Sequence, residues 1–391
     1  MSLKTAVRTN TILKTLAQGI EKRARRGVTF LITKPLRKSE SVDVENLQGP
    51  LKILLVRPNY RIGNALIMSP VIETFRQRFP DARIDLLTTD STRSLFRHQR
   101  LDRVLTLSRD AIVRPWRFPA MIRQLRQERY DLAVQVGPSS LTGLIFVRCI
   151  KSRYTMGKGK RGQRWFDIEV SGDQAHAYDI PQMFARALET PCRDRPLMRL
   201  SHGECSIGRG ELEELGIDFD DAGRPAPFVA LFVGGHLDKR LPLSFWQESI
   251  KALEAAGQRY VVFVGPEELR HAPMLEQEMA NSRYGALCRP RPLRIFAAML
   301  HYARYLVSPD SGPLHIGAAL DVPVMALVQK RKSLKFVPRG PLDIVLWQPN
   351  ARQLVAAVTT PELYQGRREV EAFEASMTAD MTLTSSAPQM P

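Results

Sequence analysis

Cysteine is scarce in this sequence and poorly placed for chemistry. Cys149, Cys192, Cys205 and Cys288 are scattered over 391 residues, and no two have the spacing of a metal site or a redox pair. Reduced, buried thiols in a cytosolic setting are expected. Long apolar runs are also missing, since none approaches the roughly 20 residues needed to span a bilayer. Arg25 and Arg26 precede the short apolar stretch Val28-Thr-Phe-Leu-Ile32. It is too brief for a cleaved signal, and Lys34 interrupts it. The chain is therefore expected on the cytoplasmic side. Acidic residues are few: 40 Asp and Glu stand against 57 Lys and Arg, a net charge of +17. That excess points to an anionic partner, whether a membrane surface, a nucleic acid or a phosphorylated substrate. No nucleic-acid motif or aromatic-interleaved basic patch accompanies it, so no nucleic-acid partner is expected. There is no short-period repeat.

What remains is the composition of a soluble globular protein, 44% hydrophobic and 25% charged, long enough for two domains. Residues 1–50 form a basic extension. Lys4, Arg8, Lys14, Lys22, Arg23, Arg25, Arg26, Lys34, Arg37 and Lys38 alternate with Leu3, Val7, Ile12, Leu13, Leu16 and Ile20 at close to helical spacing. The segment reads either as an amphipathic helix on an anionic membrane surface or as a solvated tail. From Leu51 the pattern alternates strands and helices. Leu51–Val56 is a buried strand, 57–64 a turn, 65–79 a helix, and 83–88 the next strand. A short strand at 102–107, a helix at 118–129 and a strand at 131–136 follow. Alternation of this kind means a parallel sheet with right-handed crossovers. Its ligands bind outside the carboxyl ends of the strands. Those ends carry Arg57, Asn59, Arg61, Gly63 and Asn64, and also Thr89 and Asp90. The loop 151–164, with Lys151, Arg153, Lys158, Lys160, Arg161 and Arg164, either grips acceptor phosphates or is merely solvated. Residues 175–188 read as helical, 190–221 as connecting material, and 223–227 as a linker.

A second βα series begins with the strand Phe228–Val233. It reaches Val307-Ser-Pro-Asp-Ser-Gly-Pro-Leu-His-Ile-Gly-Ala-Ala-Leu320, a strand end, a small-residue turn and a helix start in succession. Ser311 or Asp310 suits the N-cap and Pro313 the first turn. A helix N-terminus of this kind accepts a phosphate through backbone N–H groups, and Gly312 permits close approach. The alternative is an ordinary βα turn with a capping Asp. The segment 351–375 is expected to be helical, and 376–391, rich in Ser, Thr, Pro and Met, to be disordered.

Three motifs in order resemble glycosyltransferase family 9, the ADP-heptose:lipopolysaccharide heptosyltransferases. They are Ile53-Leu-Leu-Val-Arg57 with Arg61-Ile-Gly-Asn-Ala-Leu-Ile-Met-Ser-Pro70, then Asp238-Lys-Arg-Leu-Pro242, then Ser308-Pro-Asp-Ser-Gly-Pro-Leu-His-Ile-Gly-Ala-Ala319. The resemblance covers residues 51 to about 350. It implies an α/β protein of GT-B fold, two Rossmann-like doubly wound domains facing across a cleft. Residues 51–222 would take the acceptor and 223–350 the nucleotide sugar. It also implies an inverting transfer with no metal and no cofactor, in which ADP-heptose is a co-substrate.

Carried over by position, the resemblance makes Lys239 the contact to the donor phosphates and has Gly234 and Gly235 pass them at backbone distance. Asp310 would hold the sugar, and Ser311, Gly312 and His315 would surround the diphosphate. Glu267 or Glu268 would bind the ribose hydroxyls. Arg57, Arg61, Lys158, Lys160 and Arg161 are the acceptor-binding candidates. One position departs from the pattern. Where many members have Asp as general base, this chain has Asn64, and an amide cannot take a proton at neutral pH. Either Asp90 deprotonates the acceptor, or Asn64 only orients it, or turnover is weak. The partners expected are the nucleotide sugar, a lipid-linked glycan acceptor and the anionic inner-membrane surface. The expected setting is cytoplasmic, peripheral to that membrane.

Overall fold

The structure, a computed structural model, describes residues 41–108, 118–159, 164–235 and 239–365. The expected helix of the first 38 residues, Lys160, Arg161, Asp238 and the tail beyond 365 lie outside the described residues.

Two six-stranded sheets dominate. The first contains β1 (Lys52–Val56), β2 (Arg83–Thr89), β3 (Arg103–Leu107), β4 (Leu132–Gln135), β5 (Tyr154–Gly157) and β6 (Ile168–Glu169). The second contains β7 (Val229–Val233), β8 (Tyr260–Val264), β9 (Gly285–Cys288), β10 (Tyr305–Pro309), β11 (Val324–Val328) and β12 (Ile344–Trp347). Their orders are β3-β2-β1-β4-β5-β6 and β12-β11-β10-β7-β8-β9. Counted from its own first strand and read from the other edge, the second order repeats the first. Both are the doubly wound order, which reverses between the first and fourth strands. In the first sheet this places Ile53 beside Leu132, and in the second it places Ala230 beside Leu306, both parallel. The central strands are largely apolar because helices cover both faces. All five residues of β8, β10 and β11 are buried.

The helices are α1 (Ile62–Ile67), α2 (Pro70–Arg78), α3 (Phe118–Gln127), α4 (Leu141–Ile150), α5 (Asp179–Ala187), α6 (His202–Glu214), α7 (Leu243–Ala255), α8 (Ala272–Glu278), α9 (Leu293–Leu300), α10 (Gly312–Ala319) and α11 (Ala351–Thr359). The described residues form two compact units. One comprises 41–57, 81–85, 118–159 and 164–172, and the other 58–80, 86–108, 173–235 and 239–365.

Three expectations are corrected. The helix expected at 65–79 is two helices, and the first begins at Ile62, so Gly63 and Asn64 are helical rather than in a turn. Pro70 has no N–H to continue the ladder, and the Ser69 hydroxyl donates to Leu66 O at 2.7 Å, so the chain restarts there. The loop 151–164 contains β5, whose four residues were hidden among flanking charges. The connecting stretch 190–221 contains α6, opened by a capping box in which Ser201 and Glu204 exchange hydrogen bonds. Ser-x-x-Glu is the signature of that start.

Glu204 has a second partner. Nε and Nη2 of Arg294 on α9 both donate to its carboxylate, the latter at 2.5 Å. The same guanidinium also donates to Ser94 O at 2.9 Å and Arg199 O at 2.6 Å. The two side chains are only 7% and 11% exposed. The Arg294 hydrogen bonds bring the Glu204 carboxyl from its ordinary 4.5 to about 2, against burial that pushes it up. A lowered carboxylate pKa stabilises the fold above the ordinary glutamate range, and that stabilisation fades as pH falls towards about 2. Arg294→Met leaves a buried carboxylate short of its main partner and should cost about 3–5 kcal/mol at pH 7 by urea unfolding. The gap between the two proteins should narrow when the melts are repeated near pH 3, and a gap that widens would refute this account.

Candidate functional site

At the reversal point of the second sheet, the carboxyl ends of β7 and β10 lie side by side. β7 runs into Gly234 and Gly235, and β10 into Asp310 and α10. Ser311 holds the N-cap position of α10 with extended backbone, φ −145° and ψ 174°. Its hydroxyl makes no cap bond and instead lies 3.0 Å from the Ser308 hydroxyl. The first turn of α10 thus has no side-chain cap. Its N–H groups and the positive end of its dipole form an anion-binding terminus. Beside it the Lys239 ammonium donates to Asp310 Oδ2, with side chains 26% and 7% exposed. One of the three ammonium donors is engaged there, which leaves two for an anion.

His315, one turn into α10, is buried. Burial, helped by Lys239, brings its pKa down to about 4 although Asp310 pulls the other way, so the ring is neutral at pH 7. Its Nδ1 lies 3.1 Å from the Tyr178 hydroxyl and its Nε2 4.0 Å from Asp310 Oδ1. Gly63 of α1 packs directly on the ring. A Cβ at position 63 would sit 2.3 Å from His315 Cδ2 and 2.9 Å from Nε2. A Cβ at Gly312 would sit 3.2 Å from Ile62 Cβ. The first-loop helix and the helix of the 308–319 motif therefore touch through glycines.

The two glutamates differ in setting. Glu268 is buried and lines a pocket with Val233, Gly234, Arg240, Leu241, Leu243, Trp246 and His271. Burial pushes its carboxyl up, against the pull of Arg240. Glu267 is 68% exposed. Arg240 links both, at 2.7 Å to Glu267 and 2.8 Å to Glu268, and donates from Nε to Gly235 O at 2.6 Å. It braces the backbone after β7 against the turn after β8. Sequence reasoning passed over Arg240, although it follows Lys239 in the same motif. It also missed Tyr178, which no motif marks.

Asp90 is exposed on the turn after β2. That turn is stitched to the first loop, because Thr89 and Thr92 hydroxyls donate to Asn59 O at 3.0 and 3.3 Å. Arg61 is exposed at the start of α1, where its N–H donates to Asn59 Oδ1 at 2.8 Å. In the other unit, Arg57 follows β1 at the first sheet's reversal point. A Cβ on Gly137, whose φ is +138°, would lie 2.5 Å from Arg57 Nη1. Burial pushes that guanidinium down to about 10, still charged at neutral pH. Lys158 donates to Gly172 O at 2.6 Å. Lys160 and Arg161 are outside the described residues.

The family model for glycosyltransferase family 9 (heptosyltransferase) matches residues 118–362. Lipopolysaccharide heptosyltransferase 3 of Escherichia coli K12 is 23% identical over 306 residues, 75% of this chain and 84% of that protein. Among solved structures, a family 9 glycosyl transferase from Veillonella parvula superposes with a TM-score of 0.64 at 16% identity. It covers 88% of this chain and 98% of its own. E. coli heptosyltransferase WaaC with ADP superposes at 0.59 with 19% identity, over 80% of this chain and 99% of that one. The two parallel six-stranded sheets with flanking helices are those of the GT-B fold.

The glycine contact has a direct consequence. Gly63→Ala must displace either a buried imidazole or α1 itself, and neither is the loose end of a flexible side chain. Overpacking of this kind costs about 1–3 kcal/mol. The variant should melt lower in a thermal scan, and an unchanged melting temperature would show that α1 and α10 are not in this contact.

Proposed function

Because the chain belongs to glycosyltransferase family 9, the heptosyltransferase family, we propose that it moves a heptose from ADP-heptose to a lipopolysaccharide core or a similar surface glycan. The transfer inverts the anomeric carbon and needs no metal ion. The observation that carries this reading is the Lys239–Asp310 pair beside the uncapped first turn of α10. Breaking the sugar–phosphate bond puts negative charge on the departing ADP. The remaining ammonium donors and the N–H groups of α10 meet that charge with groups already in place. The positive field is thus supplied by protein groups. Asp310 also serves the sugar, whose oxocarbenium character favours a nearby carboxylate. In the pocket behind Gly234, Glu268 accepts hydrogen bonds from the ribose hydroxyls, while Glu267 stays at the rim and steadies Arg240. The WaaC structure holding ADP supports the choice of nucleotide.

Inversion requires the acceptor hydroxyl to attack opposite the leaving diphosphate and to lose its proton. Asn64 cannot take that proton, so it orients the hydroxyl. Asp90 takes the proton, from a turn tied to the first loop through Asn59. The acceptor is phosphate-rich, and Arg57, Arg61, Lys158, Lys160 and Arg161 draw it in. Among the described residues no helix is long and apolar enough to cross a membrane. The basic residues of the first 38 positions hold the enzyme at the anionic inner leaflet, each contributing roughly 1 kcal/mol near the surface.

Incubation with ADP-heptose and a lipid acceptor should release ADP and add one heptose to the acceptor mass; neither event occurring would end this reading. Thermal-shift screening with ADP-, UDP- and GDP-sugars should show the largest stabilisation with the ADP-sugar. Lys239→Met should lower kcat by about 10²–10³-fold, as expected for loss of a preorganised electrostatic donor. Asp90→Asn should lower it by about 10²–10⁴-fold, as expected for loss of a general base. Asn64→Asp should change turnover, whereas equal rates for Asp90→Asn and the parent would exclude Asp90.

A further inference from the structure

Tyr178 reaches His315 from the segment before α5. Its hydroxyl is buried, and burial holds the phenol far above its ordinary titration range, so it keeps its proton. That hydroxyl lies 3.1 Å from His315 Nδ1. We propose that Tyr178 is a positioning residue that donates to Nδ1 and so fixes His315 in the tautomer carrying its proton on Nε2. That N–H is then presented between Gly63 and Asp310.

The opposite arrangement, Nδ1–H donating to the phenol, fails on two counts. It would leave the buried Tyr178 proton without this acceptor, and it would turn the Nε2 lone pair towards Asp310 Oδ1, 4.0 Å away. A lone pair facing a carboxylate is repelled, whereas an N–H facing it is attracted. The ring holds a single exchangeable proton at neutral pH, because burial and the neighbouring Lys239 keep it neutral. Where that proton sits is therefore set by the partner on the other nitrogen.

Tyr178 is itself held in place. Its backbone N–H donates to His176 Nδ1 at 3.2 Å, which leaves the His176 proton on Nε2, 3.2 Å from Leu334 O. Ala177 N–H donates to Lys335 O at 2.8 Å. The His176 and Tyr178 rings lie 5.3 Å apart. The segment is thus clamped on the turn Arg331–Phe336. The phenol arrives at His315 from a fixed backbone, as a group that positions another must. On the donor reading given above, the Nε2–H helps hold Asp310, the carboxylate that pairs with Lys239, without adding charge.

The test uses the full chain labelled with ¹³C and ¹⁵N, with the His315 ring signals assigned through bonds to its own backbone. The parent protein should show His315 neutral and protonated on Nε2 at pH 7. Tyr178→Phe keeps the aromatic ring and removes the donor, and should shift the signals towards the Nδ1–H form. With ADP-heptose, Tyr178→Phe should lower kcat about 3- to 10-fold, the loss of one hydrogen bond, with KM for the acceptor unchanged. A parent protein with the proton on Nδ1, or a Tyr178→Phe variant with an unaltered His315 tautomer, overturns the proposal. The tautomer is read without any donor, so failure of both proteins to use ADP-heptose would count against the donor alone.

Discussion

The site depends on the ion pair between Lys239 and Asp310. A carboxylate buried as Asp310 is would be costly alone, since an isolated buried ion costs several kcal/mol even after relaxation. Paired at the end of β10, they fix each other where two strands of the second sheet part. The ammonium is left with donors to spare beside a helix terminus that has no side-chain cap. Positive field is concentrated there before any ligand arrives, and fixed dipoles need no reorganisation when charge develops. Burial keeps the neighbouring His315 neutral, and the Lys239 cation beside it works in the same direction against the pull of Asp310.

A second constraint is steric. α1 and α10 come together only because residue 63 has no side chain and residue 312 has none either. Helices that meet through glycines bring backbones closer than any side-chain contact allows, and here the gap is filled by the imidazole of His315. The first-loop helix, which carries Asn64, is thereby positioned by α10 itself. Glycine at position 63 therefore reflects packing, since α1 there is ordinary helix and needs no unusual backbone angles.

Much of this was legible in the sequence, and the reasons are physical. Fully buried parallel strands are continuous apolar runs, so β1 and β7 stood out, and β10 showed at its end. The turn from Pro309 to Gly312 announced a helix start through Pro313 and its small residues. The elements that escaped were those whose signal is weaker than their context. β5 and β6 are too short for a period to register, and α6 lies in a stretch whose polar turns outweighed its capping box. Gly63 and Asn64 looked like turn residues because glycine and asparagine usually mark turns, and tertiary packing overrode that preference. Lys239, Asp310 and His315 belonged to contiguous motifs. Tyr178 sits 137 positions from His315, and only the folded chain brings them together.

Asn64 is best understood through charge. The site already holds Asp310 and Glu268 as buried carboxylates, matched by Lys239 and Arg240. A carboxylate at position 64 would add a negative charge on the helix that packs against His315. An amide adds no charge there. On the function proposed above, with Asp90 as the base on an exposed turn, the proton-accepting carboxylate would be kept apart from the positive field of Lys239 and α10, and the asparagine would leave that field undisturbed.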